Sequence, residues 1–230
     1  MARTTYKREG VGSLHVDDMW TVMQQLPDES VNAIITDPPY SKKALPLFRD
    51  LLELSGRVLA PNGHLITFLP AYALPTIFSY PTPGLQYRWL ITMLQPGQQA
   101  RLVNAKRTVA VSTKPLGWWT KHPWGEPDYD LVVDSFVSPS RVKGHHPWEQ
   151  NVAWADYCVG TFTKPGQVVL DPFMGSGTLA LTCIRAKRRF ICVEIDPATA
   201  SAAWTRIEEE IRDARRRQAR INQRELDAGL

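Results

Sequence analysis

The chain has 230 residues, 43% of them apolar, and a net charge of +4, which is enough for one sizeable hydrophobic core. The isoelectric point near 9.0 is compatible with a nucleic-acid partner. No apolar stretch approaches the roughly 20 residues of a membrane span, and no apolar segment follows the first charges, so we expect a cytoplasmic protein.

The first part of the chain predicts alternating strands and helices. A short apolar strand over 14–16 precedes a helix over 19–26, and a second strand contains Ile34 and Ile35. Apolar residues three and four positions apart predict a helix over 45–58, followed by a buried strand over 64–69. This order is typical of a parallel sheet with helices on both faces.

The middle of the chain is less regular. A short helix over 74–80 is followed by two strands, over 88–94 and 108–112, which suit an antiparallel hairpin at the sheet edge. Segment 114–145 has neither a helical nor a strand period, although it is rich in aromatic residues. It is predicted to be an insertion or long loop within a single domain that spans residues 1–230.

The last part returns to the alternating pattern. It predicts a helix over 148–162, a strand over 167–170, a helix over 178–186, a strand over 190–193 and a final helix from Pro197. The arginine-rich tail reads as a solvated helix with ion pairs one turn apart. The three cysteines have no metal-ligand spacing and are expected to be reduced core residues.

Asp37-Pro38-Pro39-Tyr40 follows the strand that contains Ile35. Two prolines lack N–H donors and fix φ, so the strand cannot continue and the loop that follows is stiff. Asp37 is therefore expected at the carboxyl end of a strand, where open α/β sheets bind ligands. The same four residues also fit an ordinary strand-ending turn.

A glycine-rich turn, Asp171 to Thr178, lies between a predicted strand and a helix, and Glu194 ends the next strand. Glycines let the backbone approach a ligand closely, and an acid at the next strand end can accept hydrogen bonds from ribose hydroxyls. The turn has neither the dinucleotide nor the triphosphate glycine spacing. It predicts an adenosyl ligand, and the alternative is a turn that serves tight packing alone.

Together the two motifs resemble those of S-adenosylmethionine-dependent DNA amino-methyltransferases of the permuted type, in which Asp-Pro-Pro-Tyr precedes the glycine motif. The resemblance runs from about residue 12 to 212. It implies an α/β, Rossmann-like methyltransferase sheet, mostly parallel with one antiparallel edge hairpin and helices on both faces. The implied cofactor is S-adenosylmethionine, and the implied partner is DNA.

The resemblance also assigns residues. The catalytic motif would be Asp37, Pro38, Pro39 and Tyr40. Cofactor-binding residues would be Asp18, Asp37, His146, Asp171, Pro172, Phe173, Gly175, Ser176, Gly177, Thr178 and Glu194. The block that begins at His146 departs from the family pattern, because Gln150 and Asn151 stand where the family has Lys-Pro.

An exocyclic amino nitrogen is a poor nucleophile because its lone pair is delocalised into the ring. Asp37 and the carbonyl of Pro38 would accept its two hydrogens, and Tyr40 would stack on the base. Positioning and electrostatics would then supply most of the catalysis. Such a pocket reaches its target atom only when the base leaves the duplex.

Basic and aromatic residues around these motifs are candidate DNA contacts. They are Lys42, Lys43, Lys106, Arg107, Lys114, Trp118, Trp119, Lys121, Arg141 and Lys143. Segment 114–145 is the candidate target-recognition segment, and its shortness suggests loose or very short sequence specificity. The alternatives are solvated lysines and a small satellite core of tryptophans. The histidines of this segment lack supporting acids or cysteines, so no metal is expected.

Adenine N6 is the expected target, because relatives that act on cytosine N4 often carry serine at the position of Asp37. Cytosine N4 is the first alternative. RNA or a protein glutamine is another, although those motifs usually begin with asparagine, and a catalytically silent DNA-binding homologue is a third. A solitary methylase of a phage or mobile element is the hypothesis for its setting. A homodimer is left open, and no membrane contact or obligate protein partner is indicated.

Overall fold

The computed structural model describes residues 4–101, 108–121, 135–137 and 152–227. The helices are α1 (Met19–Gln25), α2 (Leu45–Val58), α3 (Leu74–Phe78), α4 (Ala153–Phe162), α5 (Thr178–Arg185) and α6 (Pro197–Asp227). The strands are β1 (Thr4–Arg8), β2 (Gly12–Val16), β3 (Val31–Thr36), β4 (Leu59–Phe68), β5 (Gln86–Arg101), β6 (Thr108–Thr120), β7 (Ser135–Val137), β8 (Val168–Asp171) and β9 (Arg189–Glu194).

Across the described residues these strands form one sheet in the order β1-β2-β9-β8-β3-β4-β6-β5-β7. The five strands from β2 to β4 in that order are parallel. β6 is antiparallel to both β4 and β5, which confirms the predicted mostly parallel sheet with an edge hairpin. A second antiparallel pair, β1 and β2, lies at the other edge.

Side chains alternate between the two faces of the central strands, and apolar side chains point to both. Helices cover both faces of the sheet. Ile35 packs with residues of α4, α5 and α6 on one face. Ile34 packs with residues of α1, α2 and α3 on the other. Strands buried on both faces read as continuous apolar runs, which is why the sequence predicted them.

The order of the strands reverses between β3 and β8. The chain leaves β3 through α2 to β4 on one side, and it leaves β8 through α5 to β9 on the other. β3 and β8 are paired in parallel, with Ile34 opposite Leu170. Ligands of open α/β sheets bind in the crevice at such a point, outside the carboxyl ends of the strands.

The prediction of an insertion that begins at residue 114 is wrong for 114–120. β6 continues to Thr120, since it pairs with β4 on one side and with β5 on the other. Trp118 and Trp119 point to opposite faces and are only 6% and 2% exposed. The rest of the predicted segment, except β7, lies outside the described residues.

The hairpin of β5 and β6 is longer than predicted and extends past the sheet. β4 ends at Phe68, opposite Leu116, whereas β5 and β6 stay paired as far as Arg101 and Thr108. The hairpin therefore projects by about 25 Å beyond the carboxyl end of β4. This is the edge of the sheet at which the switch point opens.

Two further expectations concern the cysteines and membrane-spanning helices. Cys158, Cys183 and Cys192 are buried and free, as predicted. The helices within the described parts of the chain include none with the length and apolar character of a membrane span.

Candidate active site

The two sequence motifs meet at the switch point through one buried hydrogen bond. Thr36, the last residue of β3, donates its hydroxyl to Oδ1 of Asp171 over 2.7 Å. The backbone N–H of Phe173 donates to the same oxygen over 3.1 Å. Asp37 and the glycine turn are therefore adjacent, although 134 positions separate Asp37 from Asp171 in the sequence.

Asp37 is presented at the end of β3 with its side chain 40% exposed. The Tyr40 hydroxyl donates to its Oδ1, and Lys114 places Nζ 3.9 Å from its Oδ2. Desolvation by the surrounding chain raises the pKa of Asp37, and the Tyr40 hydrogen bond and the Lys114 charge oppose that increase. The carboxylate of Asp37 is therefore held between a hydroxyl and an ammonium group.

The loop that carries Tyr40 is fixed from outside the motif. Tyr72 donates its hydroxyl to the backbone carbonyl of Tyr40 over 2.8 Å. Burial, followed by the charge of Asp37, raises the pKa of Tyr40, so Tyr40 stays a hydroxyl donor at neutral pH. No local pattern in the sequence indicated Tyr72, because this contact joins separate segments of the chain.

Asp171 is only 3% exposed, and burial raises its pKa to about 7. The hydrogen bonds from Thr36 and Phe173 lower that pKa, whereas the charges of Asp37 and Glu194 raise it. Three carboxylates thus converge at one edge of the sheet. A cationic ligand would relieve their mutual repulsion.

The glycine turn between β8 and α5 is held against β9. Gly175 has φ +52° and Gly177 has φ +84°, conformations that glycine adopts without a steric penalty. The N–H of Gly175 donates to Oε2 of Glu194 over 3.0 Å. A Cβ at Gly175 would meet nothing within 4 Å, so the backbone faces open space there.

Asp18 lies at the same edge, because β2 pairs with β9 and places Val16 opposite Glu194. Its Oδ1 accepts the N–H of Thr21 over 2.8 Å, and its Oδ2 accepts the Thr21 hydroxyl over 2.6 Å. Desolvation raises the pKa of Asp18, but these hydrogen bonds outweigh it and the pKa is lowered. Asp18 therefore caps α1, a role that the sequence did not reveal.

These residues fit S-adenosylmethionine on structural grounds. The ligand is cationic at its sulfonium and ammonium groups, and three carboxylates face this edge. The open space beside Gly175 lets a ligand reach the backbone. The carboxylate of Glu194 has acceptor capacity beyond its bonds to Gly175 and Asp196.

The predicted DNA contacts have different outcomes. Lys42 and Lys43 are exposed on a short 3₁₀ turn directly after the motif, so their role stays a prediction. The prediction that Trp118 and Trp119 contact DNA is wrong, because both indoles are buried in the core. Lys106, Arg107, Arg141 and Lys143 lie outside the described residues, and so does His146, which was predicted to bind the cofactor.

Lys121 lies away from the candidate site, and its contact with DNA stays a prediction. It follows β6 at the amino-terminal edge of the parallel strands, opposite the edge with Asp37. Its Nζ donates to Oε1 of Glu29 over 2.9 Å and to the carbonyl of Leu59 over 3.0 Å. Lys121 links the start of the sheet to a neighbouring turn.

Comparison with known proteins decides the family. The profile of the DNA methylase family matches residues 76–204, more than half of the chain and including the glycine turn. The chain belongs to the DNA methylase family. The members of this family are S-adenosylmethionine-dependent DNA amino-methyltransferases.

Among relatives, this methylase is similar to the DNA adenine methyltransferase YhdJ of Escherichia coli K12. The two are 25% identical over 243 residues, which cover 84% of this chain and 81% of YhdJ. Two type II methyltransferases match at 40% and 39% identity, but the chain spans only 18% and 17% of their length in those matches.

Solved structures support the methylase fold. The complex of M1.HpyAVI with S-adenosylmethionine has a TM-score of 0.66 at 23% identity, and the match covers 86% of this chain and 100% of that one. The PvuII cytosine-N4-specific DNA methyltransferase has a TM-score of 0.70 at 18% identity, with 90% and 92% covered. Adenine-directed and cytosine-directed enzymes are thus both among the similar proteins.

Proposed function

We propose that this methylase transfers a methyl group from S-adenosylmethionine to an exocyclic amino group of a DNA base, and that the base is adenine, methylated at N6. The observation that carries the proposal is the position of Asp37. Asp37 directly follows β3 at the switch point, and its carboxylate is partly exposed. The preceding residue, Thr36, donates a hydrogen bond to Asp171 at the start of the glycine turn. An acceptor for the amine and a site for the methyl donor are thereby adjacent.

Asp37 and the carbonyl of Pro38 would hold the two hydrogens of the target amino group. Both are acceptors, so they favour a pyramidal nitrogen whose lone pair is directed away from the ring. S-adenosylmethionine supplies an electrophilic methyl group when it is bound. Asp37 is then placed to take a proton from the nitrogen once that nitrogen has gained its fourth bond.

The cofactor would lie along the carboxyl edge from Asp171 to Glu194. We assign its cationic end to the neighbourhood of Asp171 and Asp37, and its ribose to Glu194. The backbone of Gly175 borders the space between them. Asp18, which lies after the neighbouring strand β2, would be positioned beside the adenosyl group. Its carboxylate already caps α1, so its contribution would come from its position.

DNA would approach from the carboxyl edge of the sheet. The β5–β6 hairpin projects on this side beyond β4, and a two-stranded ribbon fits the major groove. Lys42 and Lys43 are exposed next to Asp37, where they would contact phosphates. The buried position of the catalytic motif's Pro38 means that the target base must leave the duplex to reach it.

Adenine is favoured over cytosine by two observations. The motif begins with Asp37, whereas the cytosine-N4 motif often begins with serine. YhdJ, a relative whose match covers 84% of this chain, is named as a DNA adenine methyltransferase. The similarity to the PvuII enzyme keeps cytosine N4 as the alternative.

The test is incubation of the protein with unmethylated DNA and tritium-labelled S-adenosylmethionine. Digestion to nucleosides and mass spectrometry then identify the product. N6-methyladenine is the expected result, and N4-methylcytosine would support the alternative. Absence of label in DNA, together with retained DNA binding, would instead support a catalytically silent DNA-binding protein.

A further inference from the structure

Lys114 lies inside the candidate active site. In β6 it immediately precedes Pro115, whose carbonyl accepts the N–H of Leu69, just after the end of β4, over 2.9 Å. From there its side chain crosses Phe68 and reaches Asp37. The sequence had suggested Lys114 only as one of several phosphate contacts.

The ammonium of Lys114 lies close to groups that the proposed function assigns to the target base. Its Nζ is 3.9 Å from Oδ2 of Asp37. The same atom lies 5.6 Å from the ring centroid of Tyr40 and 5.6 Å from that of Phe68. These distances are typical of a cation over an aromatic face. The ammonium is an N–H donor beside the acceptor, over the ring on which the base would stack.

Lys114 and the target amino group therefore compete for Asp37 and for the face of Tyr40. An ammonium that stayed there would oppose catalysis, because the target nitrogen becomes cationic when it is methylated and like charges at this separation repel. The side chain of Lys114 is 37% exposed. Its flexible stem can carry the charge out toward the solvent.

We propose that Lys114 is a displaceable counter-ion, which occupies the position of the target amine beside Asp37 in the DNA-free protein and moves to the DNA backbone when the base enters. This inference rests on the proposed function. It makes Lys114 a positioning residue, since it keeps Asp37 ready as an acceptor before DNA binds. Two other groups act on the charge of Asp37: the Tyr40 hydroxyl and the buried carboxyl of Asp171.

The test compares Lys114→Met, which removes the charge, with Lys114→Arg, which keeps it. Lys164→Met is the matched control, because Lys164 is exposed and lies before β8, at the opposite edge of the sheet. Methyl transfer to unmethylated DNA is measured against pH. The profile of kcat/KM reports the free protein, whereas the profile of kcat reports the complex.

Lys114→Met is expected to move the acidic limb of kcat/KM for DNA to higher pH by about half a unit to one unit. The limb of kcat should not move, since the lysine has already left Asp37 in the complex. Lys114→Arg and Lys164→Met should both show the acidic limbs of the wild-type protein at unchanged pH. In the presence of S-adenosylhomocysteine, Lys114→Met should also reduce the salt dependence of DNA binding by about one phosphate contact.

Three outcomes would overturn the inference. If both limbs move together, the lysine stays beside Asp37 in the complex. If neither limb moves, Lys114 does not control the charge of Asp37. If the salt dependence of DNA binding is unchanged in Lys114→Met, Lys114 does not contact the DNA backbone. Failure of the unmodified protein to methylate DNA would refute the proposed function itself, and this inference with it. Thermal unfolding of each variant separates these outcomes from misfolding.

Discussion

Thr36 and Asp171 are joined by a hydrogen bond of 2.7 Å between the carboxyl ends of two adjacent parallel strands. Thr36 immediately precedes the residue proposed to hold the target amine, and Asp171 begins the turn proposed to hold the methyl donor. Both residues are buried, with 1% and 3% of their surface exposed. The two halves of the site are therefore fixed to each other by the sheet rather than by a flexible loop.

Replacement of Thr36 by valine should loosen this connection. Valine keeps the shape but removes the donor to Asp171, so we expect a loss of about 1–2 kcal/mol in the free energy of unfolding. The pKa of Asp171 should rise further, which weakens S-adenosylmethionine binding at neutral pH. Urea unfolding and ligand titration measure the two effects.

Thr67→Val is the matched control for Thr36→Val. Thr67 is equally buried, on the neighbouring strand, but its hydroxyl donates to the carbonyl of Phe68 and not to an acid. It should cost stability without changing the pH dependence of cofactor binding. Equal effects of the two variants on that pH dependence would contradict the role assigned to Thr36.

Asp171→Asn should stabilise the cofactor-free protein at alkaline pH. The pKa of Asp171 is about 7 in the folded protein and about 3.9 in an unfolded chain. Because the folded value is raised, the folded state gains from this group below pH 4 and loses that gain as pH rises through 7. Asparagine carries no charge, so its advantage should reach a few kcal/mol above pH 7 and vanish near pH 4.

Thermal unfolding between pH 4 and pH 9 checks this expectation. A variant that is less stable than the unmodified protein at pH 8 would mean that Asp171 is stabilised as a carboxylate. The same Oδ1 acceptor is available in asparagine, so the hydrogen bonds from Thr36 and Phe173 can persist.

Cofactor binding should depend on the same carboxyl group. A cationic ligand favours the ionised form of Asp171, so binding below about pH 7 requires release of a proton. The dissociation constant for S-adenosylmethionine should rise by up to about tenfold for each pH unit below that value. Isothermal titration measures it, and Asp171→Asn should bind more weakly at pH 8 and lose most of the dependence.

Gly177→Ala should destabilise the glycine turn. Gly177 has φ +84°, and a Cβ there would lie 3.4 Å from Cβ of Ala203. We expect a loss of about 1–2 kcal/mol. Gly160→Ala is the control, since Gly160 lies in α4 with open space around it and alanine should stabilise that helix by up to about 1 kcal/mol. Similar effects at both positions would argue against strain at Gly177.

The sequence predicted the central strands and both motifs because buried parallel strands and stiff loops leave local signals. It missed β1, whose residues Thr4 to Arg8 are mostly exposed and carry no apolar run. It also missed the second half of β6, where Pro115, Gly117 and two tryptophans hide the strand period. A contact such as Lys114 with Asp37 depends on the pairing of β6 with β4, which no local pattern encodes.

In the proposed function, Asp37 acts on the target amine and the glycine turn holds the methyl donor. The most direct measurement is the single-turnover rate of methyl transfer to DNA by Asp37→Ala, with S-adenosylmethionine affinity determined on the same sample. We expect transfer to fall by at least about a hundredfold, while the affinity changes by less than about tenfold. Transfer by Asp37→Ala at a rate near that of the unmodified protein would contradict the proposed function.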